Sequence, residues 1–79
     1  MRLRLFAAAR EAAGRAEDSF DAPTLGALLE AATARYGEGF ASVLVTCRVW
    51  VNGDEPAAGT ATPLAPGDEI AVLPPVSGG

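Results

Sequence analysis

Leu25, Leu28, Leu29 and Ala32 recur at i, i+3, i+4 and i+7, and Tyr36 follows four residues on. That spacing gives one helix a single apolar stripe to bury. The remaining apolar segments are short and strand-like, so the stripe must face a sheet. Asp21-Ala22-Pro23-Thr24 marks the helix start, with Thr24 as the expected N-cap. Arg35 sits in the last turn, where a cation suits the macrodipole, and Gly37 is the natural residue to end the helix. A chain of 79 residues makes one small domain and buries only about 60% of its unfolded surface. Such a chain has little room for an elaborate catalytic pocket.

The strands are read from alternation and from turn residues. Arg2 to Phe6 places Leu3 and Leu5 on one side and Arg4 and Phe6 on the other. Ala7 to Gly14 reads as a small-residue turn, and Glu17 to Phe20 as a second strand that completes an N-terminal hairpin. Phe40 to Val45 is expected to be irregular or a short 3₁₀ turn plugging the end of the core. Arg48 to Val51 is a strand, and Asn52-Gly53 after it is a strong hairpin signal. A short return strand is expected around Asp54 to Ala57, held to an edge by Pro56. Thr62-Pro63-Leu64 reads as a turn tucking Leu64 under the sheet, and Pro66-Gly67-Asp68 as a turn that Asp68 closes onto nearby backbone N–H groups. Glu69 to Leu73 is the last strand, and Pro74-Pro75 cannot donate ladder hydrogen bonds.

The predicted order is ββ-α-ββ-β, an α+β fold with one main helix packed on one face of a mixed sheet. The first and last strands are expected to lie parallel and adjacent at its centre. The domain then covers residues 1–73, and 74–79 form an extended tail.

Composition excludes several functions. There is no histidine, and Cys47 is the only cysteine, so neither a zinc or iron–sulfur site nor a Ser-His or Cys-His dyad can be written. Cys47 is expected to be inert, and its solitude fits a reducing compartment. The net charge of −4 without a basic cluster argues against nucleic acid. All six basic residues are arginines, so the chain offers no lysine for isopeptide bonds with itself. With no signal-peptide core and no run of membrane-spanning length, the expectation is a cytoplasmic protein with no membrane partner. The acidic pairs Glu17-Asp18 and Asp54-Glu55 read as solvated loop charges.

Two features point to function. The sequence ends in Gly78-Gly79, a pair expected at a chain end by chance in roughly half a per cent of sequences. Without Cβ atoms such an end can thread a channel that any side chain would block, which suggests a tail inserted into a partner's active site and modified there. Residues 74–79, fully extended, span roughly 20 Å. The second feature is the sheet face turned away from the helix, where Arg4, Phe6, Arg48, Trp50, Ala71 and Leu73 would gather. Large apolar groups flanked by arginines on such a face suit an interface core with a polar rim.

Leu5-Phe6-Ala7 with Arg10-Glu11 and Gly14, Val51-Asn52-Gly53, Leu64, Gly67-Asp68-Glu69-Ile70 and Pro74-Pro75-Val76-Ser77-Gly78-Gly79 occur in order along the whole chain. In these segments it resembles the small subunit of molybdopterin synthase, a sulfur carrier of the β-grasp, ubiquitin-like class. The final segment is the most specific of them.

The resemblance implies a protein that is not an enzyme on its own and binds no cofactor. A ubiquitin-activating-like adenylyltransferase would use ATP to adenylate Gly79, and sulfur transfer would make the thiocarboxylate. The tail would then enter the large synthase subunit and donate sulfur to the pterin precursor. Gly79 and Gly78 would be the reacting end, and Phe6, Arg48, Trp50, Leu73, Pro74, Pro75, Val76 and Ser77 would contact partners. Carriers for thiamine thiazole or cysteine synthesis share the fold and the glycines. A lysine-conjugated protein modifier would use the same adenylated terminus, and a plain interaction domain would have an inert one.

Overall fold

The computed structural model describes residues 1–75. In order, the chain forms β1 (Arg2–Leu5), α1 (Ala7–Ala13), β2 (Glu17–Ser19), α2 (Leu25–Tyr36), α3 (Glu38–Leu44), β3 (Arg48–Val51), a 3₁₀ turn (Gly59–Ala61) and β4 (Glu69–Leu73). The four strands make one mixed sheet in the order β2-β1-β4-β3. β1 and β4 run parallel at its centre, in the register Leu3 with Ile70 and Leu5 with Val72. β2 and β3 flank them antiparallel. The central parallel pair expected from the sequence is present.

Alternation along β1 and β4 sends Leu3, Leu5, Ile70 and Val72 to one face, where each is at most 1% exposed. The stripe Leu25, Leu28 and Ala32 of α2 packs onto them, with Phe20, Ala22, Phe40 and Ala9 completing the core. Val49, Val51 and Leu64 pack at its margin. Thr24 caps α2 as expected, its hydroxyl oxygen accepting the Ala27 N–H at 3.2 Å. Gly37 ends the helix with φ 98°, donating to the Thr33 carbonyl. The segment around Leu64 clamps the start of α2. Leu25 N–H donates to the Thr62 carbonyl at 2.9 Å, and Leu64 N–H to that of Pro23 at 2.9 Å. The 3₁₀ turn then approaches so closely that a Cβ at Gly26 would lie 3.1 Å from both Cβ and the carbonyl oxygen of Thr60. This contact accounts for a glycine inside a helix.

Three expectations are corrected. Ala7 to Gly14 is not a turn, because Ala7–Ala13 form α1, closed by Gly14 at φ 77°. Alanine is the strongest helix former, and Ala9 buried in the core, with Ala12 and Ala13 packed against it, holds that helix in place. Phe40 to Val45 is not irregular either. Glu38–Leu44 are α-helical, with fully buried Phe40 and half-buried Leu44 four residues apart on one face. The return strand is absent from the described residues. Asn52-Gly53 turn the chain with φ 51° and 84°, but Asp54 makes only one bridge to Val51 before Pro56 turns away.

Asp18 is a fourth correction, since it is not a solvated loop charge. It lies opposite Leu3 in the β1–β2 ladder, so alternation points its carboxylate to the helix side. There it accepts the Tyr36 hydroxyl at 2.6 Å, Arg35 at 3.0 Å and Arg15 at 3.3 Å. Tyr36 in turn meets Phe20 and Phe40 edge-on, with ring centroids 6.2 and 5.0 Å away. The Tyr36 bond, then Arg35 and the Ser19 N–H, hold the Asp18 carboxyl down at about 2, against an ordinary 3.8. Burial and the same carboxylate push the Tyr36 hydroxyl far above its usual range.

Two stability predictions follow from this packing. Phe40→Ala should cost about 3–5 kcal/mol in urea unfolding, as for other buried aromatics. The depressed Asp18 carboxyl contributes stability that is complete above the unfolded value and is lost as pH falls through about 2. Between about pH 5 and pH 2, wild type should therefore lose about 1–2 kcal/mol more than Asp18→Asn. Equal losses in the two proteins would remove this role from Asp18.

Candidate partner-docking face

The face of the sheet opposite α2 is built by the other half of each alternation. β1 places Arg2 and Arg4 there, and β4 contributes Glu69, Ala71 and Leu73. β3 adds Arg48 and Trp50, because Val49 and Val51 are the residues that reach the core. Register brings Ala71 between Arg4 on one side and Trp50 on the other, and sets Arg48 opposite Leu73. Phe6 lies just past β1, yet its N–H still donates to the Val72 carbonyl at 3.2 Å, which carries the ladder one step further. The Arg4 guanidinium stands 5.5 Å from the centre of the Phe6 ring, so both side chains share this face.

Phe6, Trp50 and Leu73 are half-buried, and none of them belongs to the core cluster. The structure thus brings Arg4, Phe6, Arg48, Trp50, Ala71 and Leu73 onto one surface. Charge on it is balanced locally, with Arg4 3.5 Å from Glu69 and Arg48 3.7 Å from Glu55. Glu55 remains an exposed loop charge, as expected, that pairs with Arg48 at the edge of this face.

The surface leads to the point where the chain leaves the sheet. β4 ends at Leu73, beside the start of β3 and just past the end of β1. Pro74 and Pro75 follow, exposed and outside any strand. Val76, Ser77, Gly78 and Gly79, the rest of the expected tail, lie outside the described residues.

At the opposite end of β4, Asn52 and Asp68 hold the register. Asn52 Oδ1 accepts the Glu69 N–H at 2.9 Å, and its Nδ2 donates to Asp68 at 3.1 Å. Asp68 closes its turn as expected, accepting the Ala65 N–H at 2.8 Å. That backbone bond, then Asn52, holds its carboxyl below the ordinary value. Cys47 is half-buried, and burial pushes its thiol up, away from the thiolate needed for sulfur chemistry.

Among the described residues, no three His, Cys, Asp or Glu side chains are placed to hold a metal ion. None of the described helices is long and apolar enough to cross a membrane. The sequence reading missed an open apolar groove of about 540 Å³ behind α2, between Leu29, Ala34, Leu44 and Thr60. Its only signal was Gly26, a small residue facing a close neighbour.

Comparison with known proteins places the arrangement. Residues 3–79 match the ThiS family. The chain is similar to the Haloferax volcanii HVO 2177 protein, at 36% identity and TM-score 0.77 over 99% of this chain and 84% of that one. It is similar to small archaeal modifier protein 1 from Methanosarcina acetivorans, at 30% identity and TM-score 0.80 over 99% and 94%. It also resembles a chain in the complex of subunits 1 and 2 of the molybdopterin-converting factor from Helicobacter pylori, at 28% identity and TM-score 0.72 over 99% and 96%. No curated protein sequence matches. The mixed sheet crossed by one main helix is the expected β-grasp fold, with α1 and α3 as two further short helices.

If Trp50 serves contact with a partner rather than the core, Trp50→Ala should cost less than about 1.5 kcal/mol in unfolding. A loss of about 3–5 kcal/mol, as for a buried aromatic, would return Trp50 to the core.

Proposed function

The chain belongs to the ThiS family of ubiquitin-like sulfur carriers, and from that membership we propose that it is the sulfur-donating small subunit of a molybdopterin synthase. The observation that carries this reading is the family match running to residue 79, with a likeness to a chain seen in a molybdopterin-converting-factor complex. The Pro74-Pro75-Val76-Ser77 lead-in favours the pterin branch over the carriers for thiamine thiazole or cysteine. Cytoplasmic location is part of the same proposal.

A carboxylate is resonance-stabilised and fully ionised, with a reference pKa of about 3.5, so it resists nucleophiles. The activating enzyme's ATP would convert the Gly79 carboxylate to an acyl adenylate, releasing pyrophosphate. Hydrosulfide-level sulfur then forms a bond to the acyl carbon, the carbon–oxygen bond to AMP breaks so that AMP leaves, and the sulfur's proton is lost to solvent. The resulting thiocarboxylate is an anionic, soft nucleophile at neutral pH. No residue of the β-grasp body takes part in these steps. The body's task is presentation, with Phe6, Trp50 and Leu73 seated on the partner and Arg4 and Arg48 at the rim. Pro74 and Pro75 stiffen the base of the tail and reduce the entropy lost on insertion.

The likeness to small archaeal modifier protein 1 favours a second reading, conjugation of the same adenylated terminus to lysines of target proteins. Intact-mass analysis separates the two. After incubation with an activating enzyme, ATP and a sulfur donor, the carrier should gain ~16 Da as sulfur replaces one oxygen. A variant lacking Gly79 should gain nothing. High-mass covalent ladders in cells would favour conjugation, and an unchanged wild-type mass would sink the carrier reading. Trp50→Glu and Phe6→Glu should abolish capture of the large synthase subunit.

A further inference from the structure

The outer face of the sheet carries three arginines, and each is paired with its own glutamate. Arg2 lies 3.5 Å from Glu17 across the β1–β2 ladder. Arg4 lies 3.5 Å from Glu69 across the central pair, and Arg48 3.7 Å from Glu55 beyond the Asn52-Gly53 turn. Arg4–Glu69 and Arg48–Glu55 flank Trp50, Phe6 and Leu73, Arg2–Glu17 lies toward the far end of the sheet, and together the pairs leave the face without net charge.

The chain as a whole has a net charge of −4, so the excess acid lies elsewhere. Glu11 on α1, Glu30 on α2, Glu38 at the start of α3 and Asp21 before α2 are all exposed. Arg10, Arg15 and Arg35 offset part of this acid, and a basic partner gains no charge advantage at the outer face. Nor does the acid behind the sheet reach far around it. The shortest principal extent of the fold is 17 Å, about two Debye lengths of ~8 Å at physiological salt.

An acidic partner gains little at the outer face, because each guanidinium is already beside a carboxylate that would repel the newcomer. What the face offers is apolar area beside charge that is already paired. We infer that the outer sheet face fits a partner surface that is apolar at its centre and carries no net charge. Docking is held by Phe6, Trp50 and Leu73 and is nearly indifferent to salt, with Glu17, Glu55 and Glu69 acting as internal partners that keep the arginines from selecting acidic surfaces. This rests on the reading of the face as the docking site, and it adds the chemistry of the partner.

Titration of the full chain against the large molybdopterin synthase subunit and the activating enzyme tests it. Between about 100 and 500 mM sodium chloride, Kd should change by less than ~5-fold for each partner, since no steering field acts on the encounter. The double variant Glu55→Gln, Glu69→Gln should bind roughly 3–10-fold more weakly, because docking then covers two guanidinium groups that have lost their carboxylates. Weakening by salt of more than ~5-fold overturns the inference. So does a double variant that binds as tightly as wild type or more tightly, which is the signature of an acidic partner. Binding that depends on Trp50 but is steep in salt defeats the charge assignment alone. Failure to bind either partner, or binding that survives Trp50→Glu, defeats the docking face and this inference together.

Discussion

The parallel pairing of β1 with β4 is the constraint from which the rest of the structure descends. It joins residues 2–5 to residues 69–72 and places Leu3, Leu5, Ile70 and Val72 side by side under α2. Parallel neighbours need a long crossover between them, and here almost the whole chain serves as that crossover. Because the strands are parallel, the end of β4 emerges beside the end of β1. Phe6 and Leu73 are thereby brought together at the point where the chain leaves the sheet. The same pairing thus closes the core and sets the point where Pro74 leaves β4 beside an apolar surface.

The two faces of this sheet are stabilised by different physics. On the helix side, burial dominates, joined by the polar cluster of Asp18 with Tyr36, Arg35 and Arg15. That carboxylate ties the edge strand β2 to the last turn of α2, where the chain has few large apolar residues to do so. On the outer side, ion pairs at 3.5–3.7 Å are exposed, and pairs of that kind contribute little to folding. Their effect is on what the surface attracts. A small domain with half-buried Phe6, Trp50 and Leu73 on a neutral face is suited to being held by another protein.

The main helix, its Thr24 cap, the central strands and the two sheet faces were legible because each rests on local periodicity or on a single capping residue. The outer-face set Arg4, Phe6, Arg48, Trp50, Ala71 and Leu73 follows from alternation alone once β1, β3 and β4 are found. α1 and α3 were harder to see. Ala7–Ala13 has almost no large apolar residues, and its helix depends on Ala9 finding a place in the core. In α3, the face shared by Phe40 and Leu44 is covered only because Gly37 turns the chain back against α1 and α2. The missing return strand shows the opposite error, where a strong turn signal at Asn52-Gly53 was followed by a chain that Pro56 led away.

The amino-acid sequence by itself determined that one amphipathic helix must lie on a sheet of short strands, that histidine-based dyads and zinc or iron–sulfur sites built on histidine and cysteine cannot be written, and that Gly78-Gly79 is the feature to explain. These are properties of composition and spacing, carried by each residue without reference to distant ones. Tertiary structure alone decided that Asp18 faces the helix, that Gly26 admits Thr60, and that every arginine of the outer face meets a glutamate. Asp18 and the Arg2–Glu17 and Arg4–Glu69 pairs depend on register between strands, where a shift of one residue sends a side chain to the other face. The Gly26–Thr60 contact depends on how the 3₁₀ turn packs on α2.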